Sequence, residues 1–144
     1  MLIHISIIYI LLGIPKVCWG SDFQKGVEAA NRGDYVTAIK EWTLPAKQGD
    51  ADAQYALGAM YYAGYGVPQD YQAAVKWYTL AAEQGNALAQ FNLGVMHKKG
   101  HGVSKDHVRA HMWFNLSAST GHQKAAKFRD VISDILTDAN LSAA

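Results

Sequence analysis

Histidine is the residue type in this chain whose clustering invites a chemical reading. Of six histidines, five lie between His97 and His122, and both His97/His101 and His107/His111 are spaced i, i+4. On one helix face such a pair sets two imidazoles within reach of a zinc or copper ion. His101, however, falls in a glycine turn, and the His-Glu-x-x-His pattern is absent. Three of the five also stand where tyrosines occur 36 residues earlier: His97 for Tyr61, His101 for Tyr65 and His107 for Tyr71. They are read as partly exposed structural positions that have lost some aromatic packing, and no metal is expected. The Gly64-x-Gly66 and Gly100-x-Gly102 turns raise the question of a phosphate cradle. Each follows a helix pattern, not a strand, and leads to Asp70 or Asp106, whose charge repels an anion at that helix start. Nucleophile motifs of the Gly-x-Ser-x-Gly and Ser-x-x-Lys types are absent, so no catalytic, cofactor-binding or metal-binding residue is assigned.

The elements that would position any site are set by an internal repeat. Residues 51–86 laid over 87–122 without a gap give fifteen identities in 36 positions, among them Ala53/Ala89, Leu57/Leu93, Gly64/Gly100, Asp70/Asp106, Ala74/Ala110 and Trp77/Trp113. The period runs back through Asp34, Ala38, Leu44 and Gly49. Upstream of Asp34 it slips by four residues, since Gly26 lies 32 before Gly58. Repetition at 20–50 residues signals a stacked array with atypical ends. Within a unit, Leu57, Met60, Tyr61 and Gly64 follow the i, i+3, i+4, i+7 spacing of a helix. Asp70 is placed to cap a second helix, on which Ala74, Trp77, Leu80 and Ala81 form another stripe. Each Trp is expected to fill the space between units. Pro45 stands where the next unit has Ala81, and an interior proline costs about 3 kcal/mol, so that helix is expected to kink or end there.

The motif Ala-x-Ala-Gln-Tyr-x-Leu-Gly-x-Met-Tyr…Gly-x-Gly-Val-x-x-Asp…Ala-x-x-Trp-Tyr…Ala-Ala-x-x-Gly, from Ala51 to Gly85, resembles the Sel-one-like repeat, a relative of the tetratricopeptide repeat with a longer glycine turn. The resemblance covers residues 51–122 specifically and 23–50 more weakly. Residues 122–137 resemble the capping helix that closes such arrays. It implies an all-α fold, a right-handed solenoid of stacked antiparallel helix pairs, and adaptor or scaffold roles, often in the bacterial envelope. It implies too that first helices line a concave groove. At 100° per residue, Tyr55, Ala59 and Tyr62 lie opposite the Leu57/Tyr61 face, and their counterparts are Phe91, Val95 and Lys98, with Phe23, Val27 and Ala30 in the first unit. Phe23, Tyr55, Tyr62, Phe91, Val95 and Lys98 are therefore the candidate protein-binding residues; alternatively the aromatics pack between successive first helices.

Composition agrees with a soluble folded domain. Half of the 144 residues are apolar, 17% are charged and the net charge is +1, giving no global pull toward nucleic acid. The charge is uneven: residues 21–86 sum to −3 and 87–144 to +3. The basic end suits an acidic partner, an anionic membrane or the acidic end of a second copy in weak self-association. Leu2–Ile14 is almost wholly apolar and is followed by Pro15 and by small residues at Cys18 and Gly20. This reads as a signal peptide over residues 1–20, cleaved after Gly20, with an uncleaved anchor as the rival. No membrane span is expected after cleavage, the destination being periplasmic or secreted. Cys18 is the only cysteine, and the mature domain would have none. The expected function is a non-enzymatic interaction adaptor; the alternative is a cell-wall or penicillin-interacting enzyme-like protein of the same repeat family.

Overall fold

The structure, a computed structural model, describes residues 18–142. The segment expected to be a leader lies outside these residues up to position 17, and the expected cleavage point after Gly20 falls in the first turn of the first described helix. Seven helices follow in order: α1 Cys18–Asn31, α2 Tyr35–Lys47, α3 Ala51–Ala63, α4 Tyr71–Glu83, α5 Ala87–Lys99, α6 His107–Ser119 and α7 Gln123–Ser142. Among the described residues there is no strand.

The repeated side chains start and stop these helices. Asp34, Asp50, Asp70, Asn86 and Asp106 each accept a hydrogen bond from the backbone N–H three residues on, at 2.8–3.1 Å. Each thereby satisfies a donor that the first helical turn leaves free. His122 occupies the same register position before α7, and its Nδ1 accepts from Ala125 N at 3.1 Å. Gly64 and Gly100 close α3 and α5 in the left-handed conformation, their N–H groups donating to Met60 O and Met96 O at 2.8 Å.

Each helix packs chiefly on its neighbours in the chain, so α1/α2, α3/α4 and α5/α6 are hairpins and α7 stands as half of a fourth. No hairpin owns a core. One cluster joins Trp42 and Ala46 of α2 to Ala53 and Leu57 of α3, with Trp77 against it. The next joins Tyr78 and Ala82 of α4 to Leu93 and Met96 of α5, with Trp113 against it. The last joins Ala110 and Phe114 of α6 to Ala125 and Ile132 of α7. Trp77 and Trp113 thus pack at the clusters that join units. Alanines at 36-residue spacing, Ala38/Ala74/Ala110 and Ala53/Ala89/Ala125, are wholly buried and let the helices approach closely.

Two parts of the sequence reading are corrected. Leu80 is not in the core: it is 45% exposed, as are Leu44 and Leu116 at 59% and 42%. The buried aromatic of each second helix is the residue after the tryptophan register, namely Trp42, Tyr78 and Phe114. These rings lie on Gly26, Gly58 and Gly94, where a Cβ at Gly58 or Gly94 would fall 2.6 Å from the facing ring. Nor does α2 end at Pro45. It runs on to Lys47, and Pro45 is buried within it. In the last turn a proline removes one intrahelical bond near the fraying end, and its own carbonyl still accepts from Gln48 N and Asp50 N.

Candidate interaction groove

The first helices of the hairpins, α3 and α5, and the half-hairpin helix α7 share one side of the stack. The aromatic residues singled out on that side are half-buried. Each leans on the deep ring of its own hairpin: Phe23 on Trp42 at 6.0 Å, Tyr55 on Tyr78 at 5.8 Å and Phe91 on Phe114 at 5.6 Å between centroids. The expected alternative, packing between successive first helices, is also seen: Phe91 of α5 meets Phe128 of α7 at 5.5 Å. The Phe23 carbonyl also accepts from Trp42 Nε1 at 3.1 Å. Such supported rings lose little further rotamer freedom on contact with a ligand.

Three of the six candidates, Tyr62, Phe91 and Val95, come together around a pocket of about 260 Å³, completed by Asn92, Lys99, Lys124 and Phe128. Phe23 and Tyr55 do not line it. Nor does Lys98, whose Nζ instead lies 4.8 Å from the centre of the Phe128 ring. Its neighbour Lys99 faces the pocket in its place. Lys124 of α7 sets its ammonium 5.5 Å from the Phe91 centroid, within the range of a cation–π attraction. Phe91, Phe114 and Phe128 form a triangle with centroid separations of 5.4–5.6 Å. Burial raises the Tyr55 and Tyr78 phenols above their ordinary pKa. Lys124 and Phe128 are not among the sequence candidates, because residues 122–137 resemble a capping helix. The same 36-residue register that relates Leu88 to Lys124 and Asn92 to Phe128 makes α7 a further first helix, and could have found them.

His97, His101 and His122 take part in the packing of the stack. His101 lies on Tyr71 with centroids 4.4 Å apart and planes 13° apart, repeating the Tyr65–Tyr35 stack of the preceding junction at 4.8 Å and 15°. The expected loss of aromatic packing at this position therefore does not occur. Tyr62 approaches His101 too, its hydroxyl 3.5 Å from Nδ1. Gly66 and Gly102 allow these stacks: each has positive φ, and a Cβ would meet the backbone of Tyr35 or Tyr71 at 2.7 and 2.5 Å. That close approach between units is the use of the Gly-x-Gly turns. His97, expected to be partly exposed, is buried and its Nδ1 has no hydrogen-bond partner among the described residues. Burial, then the nearby Arg109 charge, lowers its pKa. Among the described residues no three His, Cys, Asp or Glu side chains converge as metal ligands, and no helix is long and apolar enough to cross a membrane.

Stacked hairpins with cores shared between neighbours define an α-solenoid repeat protein. The chain belongs to the Sel1 repeat family, whose sequence profile matches residues 51–86 and 87–122. Two solved structures resemble it at a TM-score of 0.72 over 74% of this chain. One is a protective antigen present in uropathogenic Escherichia coli strains and displaying an SLR fold, at 32% identity; the other is a Sel1 repeat protein from Oxalobacter formigenes, at 37%. The chain spans 24% and 44% of their respective lengths. No curated protein matches it.

Proposed function

We propose that this chain is an exported, non-enzymatic interaction module that holds a protein or peptide partner against its row of first helices. The observation that carries the reading is the pocket across α3, α5 and α7, in which Phe91, Val95 and Phe128 are held by the core beneath them. Preorganised aromatic anchors of this kind concentrate binding energy at protein interfaces. Sel1 repeats typically mediate protein interactions, which supports the class of function. The apolar segment Leu2–Ile14 supports a periplasmic or secreted destination. A relative described as a protective antigen is in keeping with exposure outside the cytoplasm.

The experiment is position-resolved cross-linking. A photoreactive residue replaces Ala63 or Leu88 on first helices, and in separate chains Val36 or Lys76 on second helices; all four are exposed. Adducts from positions 63 and 88 are the expected result. Adducts confined to positions 36 and 76 would place the partner on the opposite side and overturn the groove reading. Cell fractionation tests export: a full-length product confined to the cytosol overturns it.

A further inference from the structure

The pocket at the α5/α7 end of the groove is chemically more selective than the groove as a whole. Its lining includes no acidic residue, and Lys99 and Lys124 reach it from different helices. Both lysines are exposed, and neither is in an ion pair with a carboxylate among the described residues. Between them lie Phe91, Val95 and Phe128, an apolar floor with room for one large side chain. At about 260 Å³ the space is smaller than the roughly 300–1,000 Å³ usual for cofactor and drug-sized ligands. The combination is confined to this end. One repeat earlier the register carries Ala63 for Lys99, Leu88 for Lys124 and Asn92 for Phe128.

We propose that this pocket receives a bulky apolar side chain of a peptide segment whose adjacent residues are acidic. The proposal rests on the interaction reading above and names the chemistry of the partner. An aromatic side chain would complete the cluster begun by Phe91, Phe114 and Phe128, and carboxylates on either side of it would meet the two ammonium groups. The excess of basic residues in 87–144 strengthens the local field and selects against basic segments.

The test uses the full chain and three fluorescently labelled synthetic peptides in Gly/Ser flanks. One has the core Glu-Asp-Phe-Asp-Glu, one has serine in place of the phenylalanine, and one has lysines in place of the four acids. By fluorescence anisotropy the acidic phenylalanine peptide should bind at least tenfold more tightly than either control, with affinity falling as salt rises. The double substitution Lys99→Glu/Lys124→Glu should weaken it at least tenfold and favour the basic peptide, with the circular dichroism unchanged because both side chains are exposed. Equal binding of acidic and basic peptides, or unchanged affinity in the double variant, overturns the proposal. In that case, adducts still forming at positions 63 and 88 leave the interaction reading standing, whereas adducts confined to positions 36 and 76 overturn both.

Discussion

At the scale of single residues, equivalent positions of successive units show what one side chain contributes. Buried Gln54 and Gln90 donate to the last-turn carbonyls of Ala46 and Ala82 at 3.0 and 3.1 Å. Gln84 then donates to Gln54 Oε1 at 2.8 Å, but its counterpart Thr120 turns to Ser117 O, and Gln90 Oε1 is left without a partner. An unmet buried acceptor costs about 1–3 kcal/mol and a net hydrogen bond contributes about 1. Thr120→Gln should therefore stabilise the chain by about 1 kcal/mol in urea unfolding, and no gain beside an unchanged Gln54/Gln84 control would refute the account. Gly94→Ala should destabilise by about 1–3 kcal/mol, since the new methyl meets the Phe114 ring and the ring is enclosed. An unshifted melting midpoint for that variant would mean the ring can move aside freely. The deep rings were hard to see in the sequence because Trp42, Tyr78 and Phe114 differ in type. Identity at 36-residue spacing picked out the neighbouring tryptophans instead.

At the scale of elements, helix positions and turns were legible because Asp and Gly recur in register and have few other uses. What escaped was which face of the second helix is buried. Leu44, Leu80 and Leu116 recur as faithfully as any core residue yet are exposed, and recurrence alone cannot separate packing from surface. The last helix is the element most open to test. His122 caps α7 through Nδ1 where two earlier first helices use Asp50 and Asn86. His122→Ala should cost about 1 kcal/mol while His122→Asn keeps the cap. Hydrogen exchange should locate the alanine effect in α7, and a loss spread evenly over α3 and α4 would contradict a local cap.

At the scale of the whole molecule, the three cores lie between units, so a disturbance at one junction reaches both hairpins that meet there. His97 lies at the junction between α5 and the turn leading to α6, buried, with Arg109 and Asp106 near it. Its folded-state pKa lies below the ordinary histidine value near 6.5, so between the two values the unfolded chain binds more protons. Stability is then full above about pH 6.5 and declines as pH falls toward the folded value. Unfolding midpoints measured from pH 7.5 to 5 should show the decline, and His97→Tyr, the residue of the preceding unit, should reduce its slope. An equal slope in that variant would assign the acid sensitivity to other groups. The candidate pocket was only half legible at this scale: Tyr62, Phe91 and Val95 follow from helix periodicity, whereas Lys124 and Phe128 depend on how the chain continues past its last full unit.

The approach of Gly66 to Tyr35 and of Gly102 to Tyr71 carries a consequence for how such a chain can change in length. Each turn is seated against main chain in the unit before it, with no room for even a methyl group. A one-residue insertion between Gly64 and Gly66 would shift that glycine off the backbone it rests on. A duplicated or deleted block of 36 residues presents the same glycine to the same backbone again. The chain can therefore lengthen or shorten in whole steps, and recombination between copies, more than gradual insertion, is the route by which its groove can be extended.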